Sequence, residues 1–259
     1  MHLGSKGKVI LVAGVGPGLG SAVVSLLAAT GATVVGLARS RSSLDPLQKQ
    51  AQSRGWSFRA ATADLRVQAE VNAVVDGVMA EFGRLDGVSV NVGHWISGDT
   101  LLHRTTEEEW SSGLHDNLDA VHRVGRAVLP PMIKQRRGSV VLVSAAERIR
   151  RLGSPSYCAA KGGIVDLTQK LAADYRPFGV RFNAVLPGNM EQGLETLDPP
   201  ETGAAVPLRN NAGVDAWQVA RAIQYFLLEE GEWITGALLT VDGGQSTGGA
   251  EPPVSPGRV

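Results

Sequence analysis

Cysteine is nearly absent from the sequence: Cys158 is the single one in 259 residues. An intrachain disulfide and a multi-cysteine metal site are therefore excluded, and a reducing, cytoplasmic setting is the expectation. An excess of charge is missing too. Lys plus Arg and Asp plus Glu number 25 each, which leaves no broad electrostatic footprint for nucleic acid or an anionic membrane. The five histidines show no ligand spacing, so no metal is expected. A long uninterrupted apolar run is also lacking. Val9 to Ala38 carries no formal charge, but Gly14, Gly16, Pro17, Gly18 and Gly20 break it. Each flank is too short to cross a bilayer, and Val9–Ala13 is too short for a secretory signal. No fixed-period repeat and no dividing linker are visible. A chain of this length with 43% hydrophobic and 19% charged residues can bury a sizeable core.

What is present is an alternation of short apolar runs and amphipathic segments. Val9–Ala13 and Thr33–Ala38 read as buried parallel strands, with a helix over 21–29 between them. Further strands are predicted at 57–62, 87–92, 139–144, 181–185 and 237–241. Helices are predicted at 44–54, Gln68–Phe82, 107–133 (one long helix ending at or soon after Pro130-Pro131), 157–175 and 215–228. Strict alternation predicts a single α/β domain with a doubly wound, mostly parallel sheet and helices on both faces. Its bounds are residues 1–246, followed by a Pro/Gly-rich tail at 247–259. The segment 189–213, rich in Pro, Gly and Glu, reads as a loop over a substrate.

Three local patterns carry chemistry. Gly14, Gly18 and Gly20 lie between a strand and a helix. Glycines there permit positive φ and close backbone approach to a phosphate, and the following helix offers its free N–H groups and positive dipole end. The second strand ends Leu37-Ala38-Arg39-Ser40, with no carboxylate before Asp45. In a dinucleotide site an acid at this place binds the ribose hydroxyls of NAD, whereas an arginine accommodates the 2′-phosphate of NADP. Arg39 and Ser40 therefore favour NADP over NAD. A solvated surface arginine is the alternative, since Arg41 is close by. Finally, Tyr157 and Lys161 share a helix face, and Ser144 ends a strand upstream. A neighbouring ammonium lowers a phenol's pKa and suits it to proton transfer near neutral pH. A serine hydroxyl nearby can bond the same substrate oxygen.

Together these residues identify a resemblance. From about Lys8 to Gly244 the chain resembles the single-domain branch of the short-chain dehydrogenases/reductases. The carrying residues are Gly14-Val15-Gly16-Pro17-Gly18-Leu19-Gly20, Asp64-Leu65, Asn91-Val92-Gly93, Asn117, Ser144, Tyr157-Cys158-Ala159-Ala160-Lys161, Asn183 with Pro187-Gly188, and Val241-Asp242-Gly243-Gly244. The resemblance implies a Rossmann-type fold and an oxidoreductase that moves a hydride between NAD(P)H and a small-molecule carbonyl or alcohol. It implies Tyr157 as general acid in reduction and base in oxidation. Ser144 would polarise the carbonyl, and Lys161 would bind the nicotinamide ribose and tune Tyr157. Asn117 would hold a water linking Lys161 to solvent. Asp64 would contact the adenine, with Leu65 beside it. Gly16, Leu19, Asn91 and Gly93 would line the cofactor cleft, and Pro187, Gly188 and Met190 would face the nicotinamide amide. His94, Trp95, Ala146, Glu147, Leu152 and Asn189 would approach the substrate. A homo-oligomer is implied, a tetramer or a dimer, packed through the helices near 107–133 and 157–175.

The chain departs from the family pattern at four places. Ala13 replaces a threonine, Val90 an asparagine that ties adjacent strands, and Gln192 a threonine that touches the nicotinamide amide. Pro17 stands where NADP-binding members often carry a basic residue. Two other functions stay open at this point: an NAD-linked alcohol dehydrogenase, and a dinucleotide-binding protein without catalysis. A carboxylate at Glu147 could select a basic or hydroxylated substrate or pair with Arg148, Arg150 or Arg151. The run 148–151 reads as a solvated loop.

Overall fold

β1 (Val9–Ala13) is buried along its whole length, and that follows from its position in the sheet. The computed structural model describes residues 4–96, 101–190, 193–201, 213–228 and 231–247. Their strands are β1, β2 (Thr33–Ala38), β3 (Phe58–Thr62), β4 (Gly87–Val90), β5 (Gly138–Val143), β6 (Val180–Pro187) and β7 (Leu238–Val241). They form a seven-stranded sheet in the order β3-β2-β1-β4-β5-β6-β7, and every pairing is parallel. The parallel crossovers require helices on both faces. α1 (Leu19–Ala29), α2 (Asp45–Arg54) and α8 (Ala216–Leu227) cover one face. α3 (Gln68–Phe82), α5 (Ala120–Gln135) and α7 (Pro155–Tyr175) cover the other. β1 serves both cores, sending Ile10 and Val12 toward α1 and α8 and Val9, Leu11 and Ala13 toward α3 and α5. A central strand with no wet face reads as a continuous apolar run because alternation has nothing to mark.

Strand order reverses at β1, which pairs with β2 on one side and β4 on the other. That reversal opens a crevice beyond the carboxyl ends of the strands, where doubly wound sheets bind ligands. Three sequence expectations need correction. The helix predicted over 107–133 is two helices, α4 (Glu107–Leu114) and α5, joined by a widened turn at His115–Asp119. A one-turn irregularity leaves hydrophobic periodicity nearly unchanged, so the pattern could not report it. The strand predicted to Val92 stops at Val90, because Asn91 and Val92 turn into the crevice. The basic run 148–151 is not a loop but part of α6 (Glu147–Leu152). Six residues are too few for a periodic signal, and the acid in the first turn with bases in the last was the only cue. Much of the loop expected at 189–213 and nearly all of the tail at 247–259 lie outside the described residues.

Candidate active site

The glycine loop is held by its backbone. The N–H groups of Gly14 and Val15 both donate to the Leu37 carbonyl, at 3.0 and 2.9 Å. Gly14 adopts φ +94°, in the left-handed region that glycine enters without strain. No side chain caps α1 at Gly18; the Ser21 N–H donates to Gly16 O at 3.2 Å, and those of Leu19 and Gly20 are left for an anion. A cavity of about 850 Å³ runs from this loop past Leu37, Ala38, Arg39, Ser40, Asp64 and Leu65 to Asn91, Gly93 and His94. Gly14, Gly16, Leu19 and Gly20 line it; Gly18 does not, and its place is the helix cap.

At the far end of that cavity the two arginines after β2 differ. Arg41 pairs with Asp45 at 3.0 Å, while Arg39 makes no ion pair among the described residues. Ser40 Oγ lies 2.7 Å from Ser42 Oγ. Asp64 is engaged by a residue the sequence reading did not single out. Arg66 donates to its carboxylate through Nε, Nη2 and its backbone N–H, at 2.6 to 3.1 Å. Those bonds pull the Asp64 carboxyl down to about 2.

A second cavity, of about 610 Å³, adjoins the first and shares Leu19, Asn91, Val92, Gly93 and Met190 with it. It is lined by Ser144, Tyr157 and Lys161, with Pro187, Gly188, Asn189, Trp95 and Leu152 around them. Tyr157 and Lys161 enter from α7, which Ser154 caps by accepting from the Tyr157 N–H. Lys161 is buried, and its Nζ donates to the carbonyls of Val92 (2.9 Å) and Val143 (3.2 Å). A Cβ on Gly93 would lie 2.5 Å from that Nζ, so a side chain here would push the ammonium off its carbonyls. Ser144 Oγ donates to the Lys161 carbonyl at 2.6 Å. Asn117 sits in the widened turn and donates through Nδ2 to Gly113 O (3.0 Å) and His94 O (3.3 Å).

The proton energetics differ from the sequence expectation. Burial pushes the Tyr157 phenol up to about 12, with Arg150 opposing that rise. Burial also pushes Lys161 down to about 8. The ammonium is aimed at two main-chain carbonyls and stands 6.0 Å from the phenol ring centroid. Loss of water therefore outweighs it, and the phenol is held protonated at neutral pH.

The predicted substrate residues divide. Trp95, Leu152 and Asn189 line the 610 Å³ cavity; His94 lines the larger one instead. Trp95 packs edge-on against Tyr157 with centroids 5.0 Å apart. Ala146 and Glu147 line neither cavity. Ala146 is buried at the start of α6, and Glu147 pairs with Arg151 one turn on, on the exposed side of the same helix. The i,i+4 geometry within a single helix draws the two side chains together along its surface. Sequence reading missed Arg148 and Ile149 of α6, and Gln245, which closes the cavity from the opposite end of the chain. Only contact at long sequence separation brings Gln245 there.

The departures are absorbed locally. Val90 is buried in the parallel ladder of β4 with β1 and β5, and the Asn91 N–H bonds Ala13 O at 2.8 Å. Ala13 is itself fully buried. Gln192 lies outside the described residues.

The residues fit a dinucleotide. Asn91 Nδ2 and Asn117 Oδ1 are buried polar atoms without a protein partner, one on the cavity wall and one behind it. Gly14, Gly16, Gly20 and Gly93 are among the residues that line the cleft. No helix among the described residues is long and apolar enough to cross a membrane, and none of their His, Cys, Asp and Glu form a group able to hold a metal.

Known proteins place the chain in a family. Residues 8–199 match the short chain dehydrogenase family. The 3-oxoacyl-[acyl-carrier-protein] reductase FabG of Thermotoga maritima is 33% identical over 244 residues, covering 92% of this chain and 98% of its own. The Vibrio cholerae protein of that name is 34% identical, covering 92% and 97%. A crystal structure of a Burkholderia xenovorans chain assigned to the short-chain dehydrogenases/reductases superposes with a TM-score of 0.83 at 27% identity, covering 95% of this chain and 99% of its own. With the parallel sheet, the glycine loop and the Ser144, Tyr157 and Lys161 cluster already in place, the chain belongs to the short-chain dehydrogenase/reductase family of NAD(P)-dependent oxidoreductases.

Proposed function

We propose that the protein transfers a hydride between NADP(H) and a small-molecule carbonyl or secondary alcohol, with Tyr157 as the general acid. The observation that carries this reading is the junction of the two cavities. The residues they share, Leu19, Asn91, Val92, Gly93 and Met190, would set the nicotinamide end of a bound dinucleotide next to Tyr157 and Ser144.

The bound reduced nicotinamide supplies the hydride. Around it the chain's own groups divide the work. The glycine loop and the α1 N-terminus hold the pyrophosphate. Arg39 and Ser40 receive the 2′-phosphate. Asp64 and Leu65 bound the adenine, and Pro187, Gly188 and Met190 face the amide. Lys161 holds the nicotinamide ribose. A phenol near 12 is fully protonated at neutral pH, so Tyr157 is set to donate its proton to the carbonyl oxygen as the alcohol forms. The Ser144 O–H turns from Lys161 O toward that same oxygen. The unpartnered Asn117 Oδ1 lies close to Gly93, as Lys161 Nζ does. A water bridging the two would return a proton from solvent. Packing of α4, α5 and α7 against a second copy as a dimer or tetramer completes the reading.

The test is NADPH consumption with a panel of ketones, aldehydes and 3-oxoacyl thioesters. The thioesters enter because the FabG relatives are named for them. Turnover of at least one class with NADPH supports the proposal. Tight NADPH binding with no turnover across the panel would return the protein to the non-catalytic alternative.

A further inference from the structure

The 610 Å³ cavity has a one-sided charge. Among the described residues, no aspartate or glutamate lines it. Two cations do, and they differ in what they are free to do. Lys161 is buried and bonded to two main-chain carbonyls. Arg148 stands at the mouth, on the exposed first turn of α6 beside Ile149 and Leu152. It makes no ion pair among the described residues.

The nearby acids are already committed. Glu147 pairs with Arg151. Asp242 accepts from the N–H groups of Gly244 (2.9 Å) and Ser246 (2.8 Å). Arg150 donates to Ala145 O at 2.8 Å. Arg148 itself donates through Nη1 to Gln245 O at 3.3 Å. The Gln245 side chain is held in turn, accepting from the Asn189 N–H at 3.1 Å. That contact takes one guanidinium donor and steers the side chain along the cavity rim. The other donors of the planar fork remain for an oxyanion. The same lining carries the apolar side chains of Trp95, Ile149 and Leu152, and Trp95 lies against Tyr157.

We propose that the substrate is an oxyanion-bearing carbonyl compound: an apolar segment separates the reducible carbonyl at Tyr157 from a carboxylate or phosphate received by Arg148. This rests on the carbonyl-reductase reading and names its substrate class. A bidentate guanidinium–oxyanion contact is charge-assisted, and its loss lowers affinity by about tenfold to a hundredfold.

The test compares medium-chain oxo acids, oxoalkyl phosphate monoesters and the neutral ethyl esters of the same oxo acids. The series varies the distance from carbonyl to anion. The quantity read is the kcat/KM ratio of anionic to neutral substrate within each variant. The wild type is expected to favour the anion by about tenfold or more, Arg148→Lys to keep part of the preference, Arg148→Gln to abolish it and Arg148→Glu to invert it. The separation giving the largest ratio, and the better of the two anions, identify the source. Binding of octanoate against octanamide to the NADP complex gives a readout that needs no turnover. Tighter octanoate binding that Arg148→Gln abolishes supports the anion site even if no carbonyl is reduced, and only the reductase reading then falls. Equal binding of the two, or an anionic preference indifferent to residue 148, overturns the inference while leaving the reductase reading intact.

Discussion

The inner and outer parts of the cleft use charge in opposite ways. Inside, Tyr157 and Lys161 are 6% and 3% exposed, and burial moves both pKa values toward the neutral forms. Outside, Arg39 and Arg148 are exposed and make no ion pair among the described residues. Water loss sets proton chemistry at one end, whereas at the other the chain leaves cations unneutralised for whatever anions arrive. The same side-chain charge is thus a cost to be relieved by hydrogen bonds at the centre and a recognition device at the rim.

The largest test of this contrast removes the inner acid. Tyr157→Phe keeps the ring against Trp95 but deletes the only proton the phenol can give. We expect kcat to fall by about a thousandfold while NADPH fluorescence titration still shows binding. A kcat within a fewfold of wild type would remove Tyr157 from the mechanism.

Lys161 gives the next largest effect, on stability. Its folded pKa of about 8 lies below the ordinary 10.5, so the unfolded chain binds this proton more readily. The folded state therefore carries the penalty below about pH 8 and is relieved of it as pH rises toward 10.5. Unfolding free energy should climb by up to about 3 kcal/mol over that window. The raised Tyr157 pKa opposes the climb above about pH 10, because there the unfolded chain loses its phenol proton first. Urea unfolding across this range should show the rise in wild type and a flatter profile in Lys161→Met. A wild-type profile that falls from pH 8 to 10 would contradict the burial argument.

At the rim the effects are smaller and selective. Arg39→Ala should weaken NADPH by about tenfold and NADH far less, read by paired titrations. Equal losses for both cofactors would move Arg39 away from the 2′-phosphate. The smallest effect is expected at Glu147, whose charge is turned to Arg151 on an exposed helix surface. Glu147→Gln should change stability by less than about 0.5 kcal/mol and leave kcat/KM within twofold. A larger kinetic change would return Glu147 to the substrate site.

The same division governs what the sequence could reveal. Val9–Ala13, the glycines after it and the Tyr157–Lys161 spacing are local, and local spacing fixes both their structure and their chemistry. Gly14, Gly16, Gly20, Tyr157 and Lys161 line the cleft, and Val9–Ala13 is the buried strand that leads into it. What escaped was made by folding at a distance or by pieces too short to show a period. Arg66 reaches Asp64 through a turn, α6 carries Arg148 to the rim in six residues, and Gln245 arrives from the other end of the chain. The widened turn at His115–Asp119, which positions Asn117, left the apolar pattern around it intact. The Tyr157 shift differs in direction from the sequence expectation for a related reason. Helix phase shows that Lys161 shares a face with Tyr157, but not that two main-chain carbonyls engage its ammonium and that burial governs the phenol.

NADP-linked carbonyl reduction in this cleft is tested by a titration of the purified protein with NADPH and, separately, NADH, followed by nicotinamide fluorescence. Saturable binding of both is expected, with NADPH tighter by about tenfold or more through Arg39. NADH binding as tightly as NADPH, or more tightly, would contradict the role given to the end of β2 and shift the chemistry toward NAD-linked alcohol oxidation.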